Sequence, residues 1–257
     1  MDEDSERKSA AADSFGASAD GYLGSRMHSE GEDLELLATW CDGATRALDV
    51  ATGAGHTAGA LLERGVTNVV ALDASPAMVA TSVDSFLGVG GVVGDAERLP
   101  FATDAFDAVT CRIAAHHFPA PGAFVREVAR AVRPGGVFAL EDNVVPEDDA
   151  LASFLDRLER MRDPTHVRAY RTSTWHEWLE SAGFVVRETV RLVKRLDVEP
   201  WIGRIRSLGA EDGERVRQYL RDAPDEAVEF FDIRYGEDGS VRSFGSPKAL
   251  IRAEPGR

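Results

Sequence analysis

Between residues 31 and 142, short β-branched apolar runs alternate with stretches of helical periodicity, a rhythm few folds can accommodate. Leu34, Leu37, Trp40 and Cys41 share one helical stripe, and Ala47 to Val50 reads as a first strand. Leu61 and Leu62 belong to a helix that stops near Gly65, and Val69 to Leu72 is a second strand. Ser75 followed by Pro76 is an N-cap and first-turn proline for the next helix. A third strand near Val92 ends at Gly94-Asp95, and a fourth runs from Phe106 to Cys111. Phe124, Val125, Val128 and Val132 line one side of a helix from Pro121, and Pro134-Gly135-Gly136 separates it from a fifth strand, Val137 to Glu141. Strand and helix in strict alternation predict βαβ units, hence a mainly parallel α/β sheet covered on both faces.

After Asp142 the alternation breaks. Residues 146–170 carry an amphipathic helix (Leu151, Phe154, Leu155, Leu158) and a loop, and residues 199–231 are helical and polar; both read as caps over the sheet. Between them, Thr174 with Glu177 predicts a capping box opening a helix with Trp175 and Trp178, which at that spacing suit a core better than a substrate platform. Another strand follows from Phe184, and a hairpin closes the chain with its last strand at Ala249 to Ala253. Residues 1–20, acidic and rich in small residues, read as a disordered tail. The expectation is one domain over 21–257, with a core at 31–142.

The segment Asp49-Val50-Ala51-Thr52-Gly53-Ala54-Gly55-His56-Thr57-Ala58 links the first strand to its helix. Gly53 and Gly55 open backbone conformations closed to other residues and let a ligand approach the main chain. The same residues satisfy G-x-G-x-x-A, the dinucleotide fingerprint, so the glycines by themselves fit two cofactors. Asp49, at the strand end, favours a cationic ligand and repels a pyrophosphate. Asp73 ends the second strand, 20 residues beyond Gly53, where a carboxylate can accept both hydroxyls of a ribose. Asp95 ends the third, placed to accept from an adenine amino group beside the Ala96 amide. Any one of these is commonplace turn chemistry; three at successive strand ends converge on the crevice where open α/β sheets bind ligands.

LDVATGAGHTA, VVALDASPAMV, GDAERLPF, FDAVTCRIAAHHF and VRPGGVFAL, in that order, resemble the class I S-adenosylmethionine-dependent methyltransferases, of the branch resembling ubiquinone/menaquinone-biosynthesis enzymes. The resemblance covers about half the chain and extends to Asp163-Pro164-Thr165-His166-Val167-Arg168, similar to a segment of a bacterial sub-branch. It implies a Rossmann-like seven-stranded sheet of order 3-2-1-4-5-7-6, the last strand antiparallel, with helical cap insertions. It implies S-adenosyl-L-methionine as cofactor. Asp49, Ala51, Gly53 and Gly55 would hold its methionine end, Asp73 its ribose, and Ala74 and Met78 would pack on ribose and adenine. Asp95 and Ala96 would read the adenine, and Arg112-Ile113 would line the sulfonium side. Tyr22, Arg26 and His28 are candidates for a segment folded over the cofactor.

Methyl transfer draws much of its rate from alignment, and a base is needed only where the acceptor must lose a proton. His116 and His117, just past the fourth strand, are the candidate catalytic bases, although either could be a packing histidine. Asp142, His166 and Arg168 are further substrate-side candidates, and Arg112 or Arg168 could bind an acidic acceptor. Two other readings stay open: a nicotinamide-dependent oxidoreductase, which lacks a Tyr-x-x-x-Lys or comparable relay here, and a cofactor-binding module without catalysis.

A formal net charge of -15, with lysine only at positions 8, 194 and 248, repels phosphate backbones and argues against nucleic acid as a partner. A small-molecule acceptor is the expected partner. Cys41 and Cys111 are too few for a disulfide framework or metal cage and suit a reducing cytoplasm. No apolar run reaches a membrane span, and the acidic N-terminus lacks the apolar region of a secretory signal.

Overall fold

In the computed structural model the described residues are 3–17, 23, 31–205 and 208–256. The sheet grows from β1 (Arg46–Val50), whose residues are buried on both faces after the first. Alternation of side chains sends Leu48 and Val50 into one core and Ala47 into the other. β1 pairs in parallel with β2 (Asn68–Asp73) and β4 (Phe106–Arg112); β3 (Val89–Val93) extends the sheet beyond β2. β5 (Val132–Val145) lies beside β4, and β9 (Val241–Pro255) runs antiparallel between β5 and β7 (Phe184–Asp197). The order is β3-β2-β1-β4-β5-β9-β7. Two two-residue strands, β6 (Tyr170–Arg171) on β5 and β8 (Arg234–Tyr235) on β9, raise the count from seven to nine; without them the order is the one the family resemblance implies.

Helices cover both faces. α2 (Glu32–Thr39) and α3 (His56–Glu63) lie on the side of Leu37, Leu61 and Val69. α5 (Pro121–Ala131) and α7 (Thr172–Ser181) cover the other, where Phe124, Phe138 and Trp175 are fully buried. α4 (Pro76–Ser85) starts at the Ser75 cap, whose hydroxyl accepts the Met78 amide. α7 begins two residues before the expected box at Thr174. Its first turn is satisfied from outside, the Ser173 amide and hydroxyl both donating to Glu147, so a local capping box is not needed.

β7 and β9 are far longer than read from the sequence, pairing from Phe184–Pro255 to Asp197–Ser243. Their far ends carry a separate core. α6 (Asp149–Arg162), α8 (Val198–Gly203), α9 (Ala210–Arg221) and α10 (Asp225–Phe230) bury Phe154, Leu158, Trp201, Val216, Leu220, Phe231 and Phe244 against one another. Polar composition masked this because each helix spends only one stripe on the core.

Where composition predicts a disordered tail, Glu3–Gly16 forms a helix, α1, that lies against α4. Acidic Glu3, Asp4 and Glu6 in its first turn favour the helix dipole, and Ala10 to Ala12 supply propensity. Tyr22, Arg26 and His28 lie outside the described residues. Among the described residues no helix is long and apolar enough to cross a membrane.

Phe138 sits at the centre of the larger core, against Phe124 and Phe184. Phe138→Ala should cost about 3–5 kcal/mol of unfolding free energy, measured by urea denaturation.

Candidate functional site

The chain leaves β1 through a turn that only its glycines and one alanine can make. Ala51 and Gly53 both have φ 54° and Gly55 φ 92°, in the left-handed region. A Cβ on Gly55 would run into Ser82 Oγ, so that position is closed to side chains by space as well as by φ. At Gly53 a Cβ would meet nothing within 4 Å, and its constraint is conformational alone. Two hydrogen bonds fasten the turn to β2: Thr52 N–H to the Leu72 carbonyl at 3.0 Å, and Gly53 N–H to Asp73 Oδ2 at 2.9 Å. The other Asp73 oxygen accepts the Ser75 amide at 2.9 Å.

Asp49 is buried beneath the turn, each oxygen accepting a hydroxyl at 2.7 Å, one from Thr52 and one from Thr110. Burial pushes its carboxyl up to about 6 despite those hydroxyls. Burial also raises Asp73, against its backbone amide donors.

Above the turn, at the carboxyl ends of the central strands, lies a cavity of about 510 Å³. Of the residues singled out in the sequence, Ala51, Gly53, Asp73, Ala74, Met78, Asp95, Ala96, Arg112 and His117 line it. Asp49 and Gly55 stand just behind its wall. α1, which the sequence did not reveal as structured, forms its roof: Lys8 reaches Asp95 at 2.8 Å and Glu97 at 2.5 Å. Phe15, at the other end of α1, sets its ring edge-on to His117, centroids 4.8 Å apart. The alanine run and acidic first turn were the only signals available for this helix.

The histidines separate. His117 is half-buried on the cavity wall, its Nδ1 3.0 Å from the Thr165 carbonyl, to which it must donate as Nδ1–H. Burial, reinforced by the neighbouring His116, depresses it to about 3, so it is neutral at physiological pH. His116 is buried and off the cavity, with Nδ1 2.6 Å from Asp142 Oδ1. Its backbone carbonyl accepts both the Val167 and Arg168 amides, which clamps the cap loop to the sheet. His166 is likewise buried, 3.2 Å from Asp156, and Arg168 is exposed over the Tyr170 ring. Thus His116, Asp142, His166 and Arg168, read as base or substrate candidates, build the cap's attachment instead of the cavity wall.

Arg112 does line the cavity, yet its guanidinium is engaged, 2.6 Å from Glu141 and 2.7 Å from Asp33. Lys194 joins the same cluster through Asp33. Burial opposes ionisation of Asp33, but hydrogen bonds from Lys194 and Arg112 outweigh it and hold the carboxyl far below its usual range. Ile113 follows with φ 53°, unusual for a β-branched residue, and its amide donates to the Glu141 carbonyl at 2.7 Å. Among the described residues no cluster could hold a metal ion.

The family profile for the methyltransferase domain matches residues 48–140, the turn and the strands around this cavity. YcgJ of Bacillus subtilis, an uncharacterized methyltransferase, is 36% identical over 248 residues, 93% of this chain and 96% of that one. The chain is a class I S-adenosylmethionine-dependent methyltransferase. The crystal structure of YcgJ matches with a TM-score of 0.83 at 33% identity, covering 88% of this chain and 98% of that one. A candidate methyltransferase from Bacillus halodurans matches with 0.83 at 37%, covering 88% and 100%. Over a shorter stretch, demethylmenaquinone methyltransferase of Beutenbergia cavernae is 38% identical across 101 residues, 39% of this chain and 42% of its own. The methyltransferase uses S-adenosylmethionine as cofactor.

The Asp142–His116 contact gives a pH signature. Burial pushes Asp142 up to about 7, so the folded protein keeps a proton that the unfolded chain releases near pH 4. That contribution to stability is whole below pH 4 and lost as pH rises through about 7. Relative to wild type, Asp142→Asn should therefore gain stability steadily between pH 4 and 7 and level off above, in urea melts at each pH.

Proposed function

We propose that this methyltransferase holds its cofactor across the carboxyl ends of β1, β2 and β3 and transfers the methyl group to a nucleophilic O, N or C of a small molecule. The observation that carries this reading is the pair of carboxylates Asp73 and Asp95 on the wall of one cavity, with a third, Asp49, buried beneath the Gly53–Gly55 turn at its floor. The residues fit the cofactor's charge. Its ammonium and sulfonium suit an acidic rim, whereas a dinucleotide pyrophosphate would face Asp49 and find the Gly53 amide already donating to Asp73. The nicotinamide reading loses support on that amide.

In this reading Ala51, Gly53 and Gly55 receive the methionine portion, with Asp49 acting from beneath as a fixed negative charge. Asp73 and Ala74 take the ribose; Met78, Asp95 and Ala96 take the adenine. S-adenosylmethionine supplies an electrophilic methyl whose sulfur leaves as a neutral thioether, so the protein's task is chiefly alignment. Arg112, tied to Asp33 and Glu141, fixes the exit of β4 and the backbone of Ile113 on the sulfonium side. His117 faces the acceptor.

Asp73 serves the turn and the ribose together. Asp73→Ala should weaken S-adenosylhomocysteine binding by about a hundredfold in isothermal titration, with the fold checked by circular dichroism. A near-unchanged dissociation constant would overturn the assignment, and binding of NADH without S-adenosylhomocysteine would overturn the whole reading. His117→Ala should cut methyl transfer at least tenfold with cofactor affinity within a factor of two, read by initial rates and titration.

A further inference from the structure

The acceptor end of the cavity is walled by Ile113, Ala114, Phe118 and Pro119, with Phe15 of the roof and His117. Its polar resources are few and already defined. Arg112, the cation on this side, is held between two carboxylates, with Lys194 completing a cluster of two cations and two acids. Lys8, the cation of the roof, is spoken for by Asp95 and Glu97 at the adenine end. Asp13, Asp73, Asp95 and Glu97 leave the described wall with more negative than positive side chains. An anionic acceptor would have to strip Arg112 from a buried network, at the cost of leaving Asp33 and Glu141 uncompensated.

Among the described residues at this end, His117 is the directional polar group that remains. Donation of His117 Nδ1–H to the Thr165 carbonyl fixes the tautomer and puts the lone pair on Nε2, for which the described residues supply no partner. Phe15 sets its ring against the His117 imidazole and Phe118 lines the same cavity, which gives this end apolar walls suited to a flat body.

We propose that the acceptor is an uncharged, planar, largely apolar molecule with a single O–H or N–H, seated by Phe15 and Phe118 and donating that hydrogen to His117 Nε2. The proposal rests on the methyltransferase reading of this cavity. In the transfer, the acceptor heteroatom bonds to the methyl carbon as the carbon–sulfur bond breaks. The sulfur leaves as a neutral thioether, and the acceptor's proton passes to His117 Nε2 and on to water. A weakly basic imidazole suffices because the proton becomes strongly acidic only as the new bond forms, and it orients the lone pair meanwhile.

Isothermal titration of the full chain saturated with S-adenosylhomocysteine tests this with three probes: β-naphthol, its methyl ether, and a hydroxynaphthoate carrying a carboxylate. β-Naphthol should bind at least about tenfold more tightly than either of the others. In His117→Ala the advantage over the methyl ether should vanish, while Phe15→Ala should weaken naphthol and ether alike. The proposal is overturned if the carboxylate binds as well as naphthol, if the hydroxyl makes no difference, or if none of the probes binds. Should His117→Ala fail to fold, the comparison of naphthol with its ether in the native chain still decides. Loss of S-adenosylhomocysteine binding in the native chain would strike the cofactor reading instead, so the two failures are distinguishable.

Discussion

The carboxylate of Asp73 accepts one amide from each of the two turns that border the cavity, Gly53 N–H from the β1–α3 turn and Ser75 N–H from the start of α4. Thr52 adds its amide to the Leu72 carbonyl and its hydroxyl to Asp49, and the Ser75 hydroxyl caps the second turn. The first bends through three left-handed residues, a conformation that must be over-determined by its surroundings to persist. Asp73 provides that determination from an adjacent strand, whose register with β1 is in turn fixed by burial of both faces. The turn at the floor of the cavity is therefore tied to the sheet through Asp73. A ligand that needs fixed amide and carboxylate positions can bind there without first ordering the protein.

A second constraint lies on the other side of β1. Arg112, Glu141, Asp33 and Lys194 come from β4, β5, α2 and β7, and join three buried ionisable groups and one half-buried lysine at one junction. Replacing such a cluster by apolar residues is often neutral or stabilising, so stability is a weak reason for it. Its effect is positional: the charges allow one arrangement of the β4 exit, and the strained Ile113 backbone is held where it meets the cavity. The same pairing removes Arg112 from the list of groups that could greet an anion, which turns a structural device into a statement about specificity.

The parallel core was legible because its signals are local. Strand runs, the Ser75-Pro76 cap and the glycine pair each act within a few residues, and β1 to β4 and the turn stand close to where the sequence puts them; β5, read as Val137 to Glu141, instead starts at Val132 with Pro134-Gly135-Gly136 inside it and runs to Val145. What escaped depended on partners distant in sequence. The helix at Glu3–Gly16 carries a single aromatic, and its docking uses Lys8 on Asp95 and Glu97, some ninety residues away. The extra length of β7 and β9 is set by the cap they support, not by their own pattern. His116 and His117 were indistinguishable as neighbours in sequence. They lie in a 3₁₀ turn with ring centroids 4.2 Å apart, yet only His117 lines the cavity, while His116 is bonded to the buried Asp142.

That pair of histidines joins the cap loop to the proposed acceptor end of the cavity. His116 gives its carbonyl to Val167 and Arg168 and its imidazole to Asp142, fixing the cap loop on the sheet. His117, one residue on, takes its orientation from Thr165 of that same loop, and Thr165 is itself held by Asp163 through amide and hydroxyl. Phe15 of the roof meets the His117 ring edge-on. Cap, sheet and N-terminal helix thus converge on one imidazole. A change in the cap that moved Thr165 would reorient His117, the proposed partner of the acceptor, without touching the turn that Asp73 anchors. On that proposal, acceptor choice can diverge through the cap while the Asp73-anchored turn stays as it is.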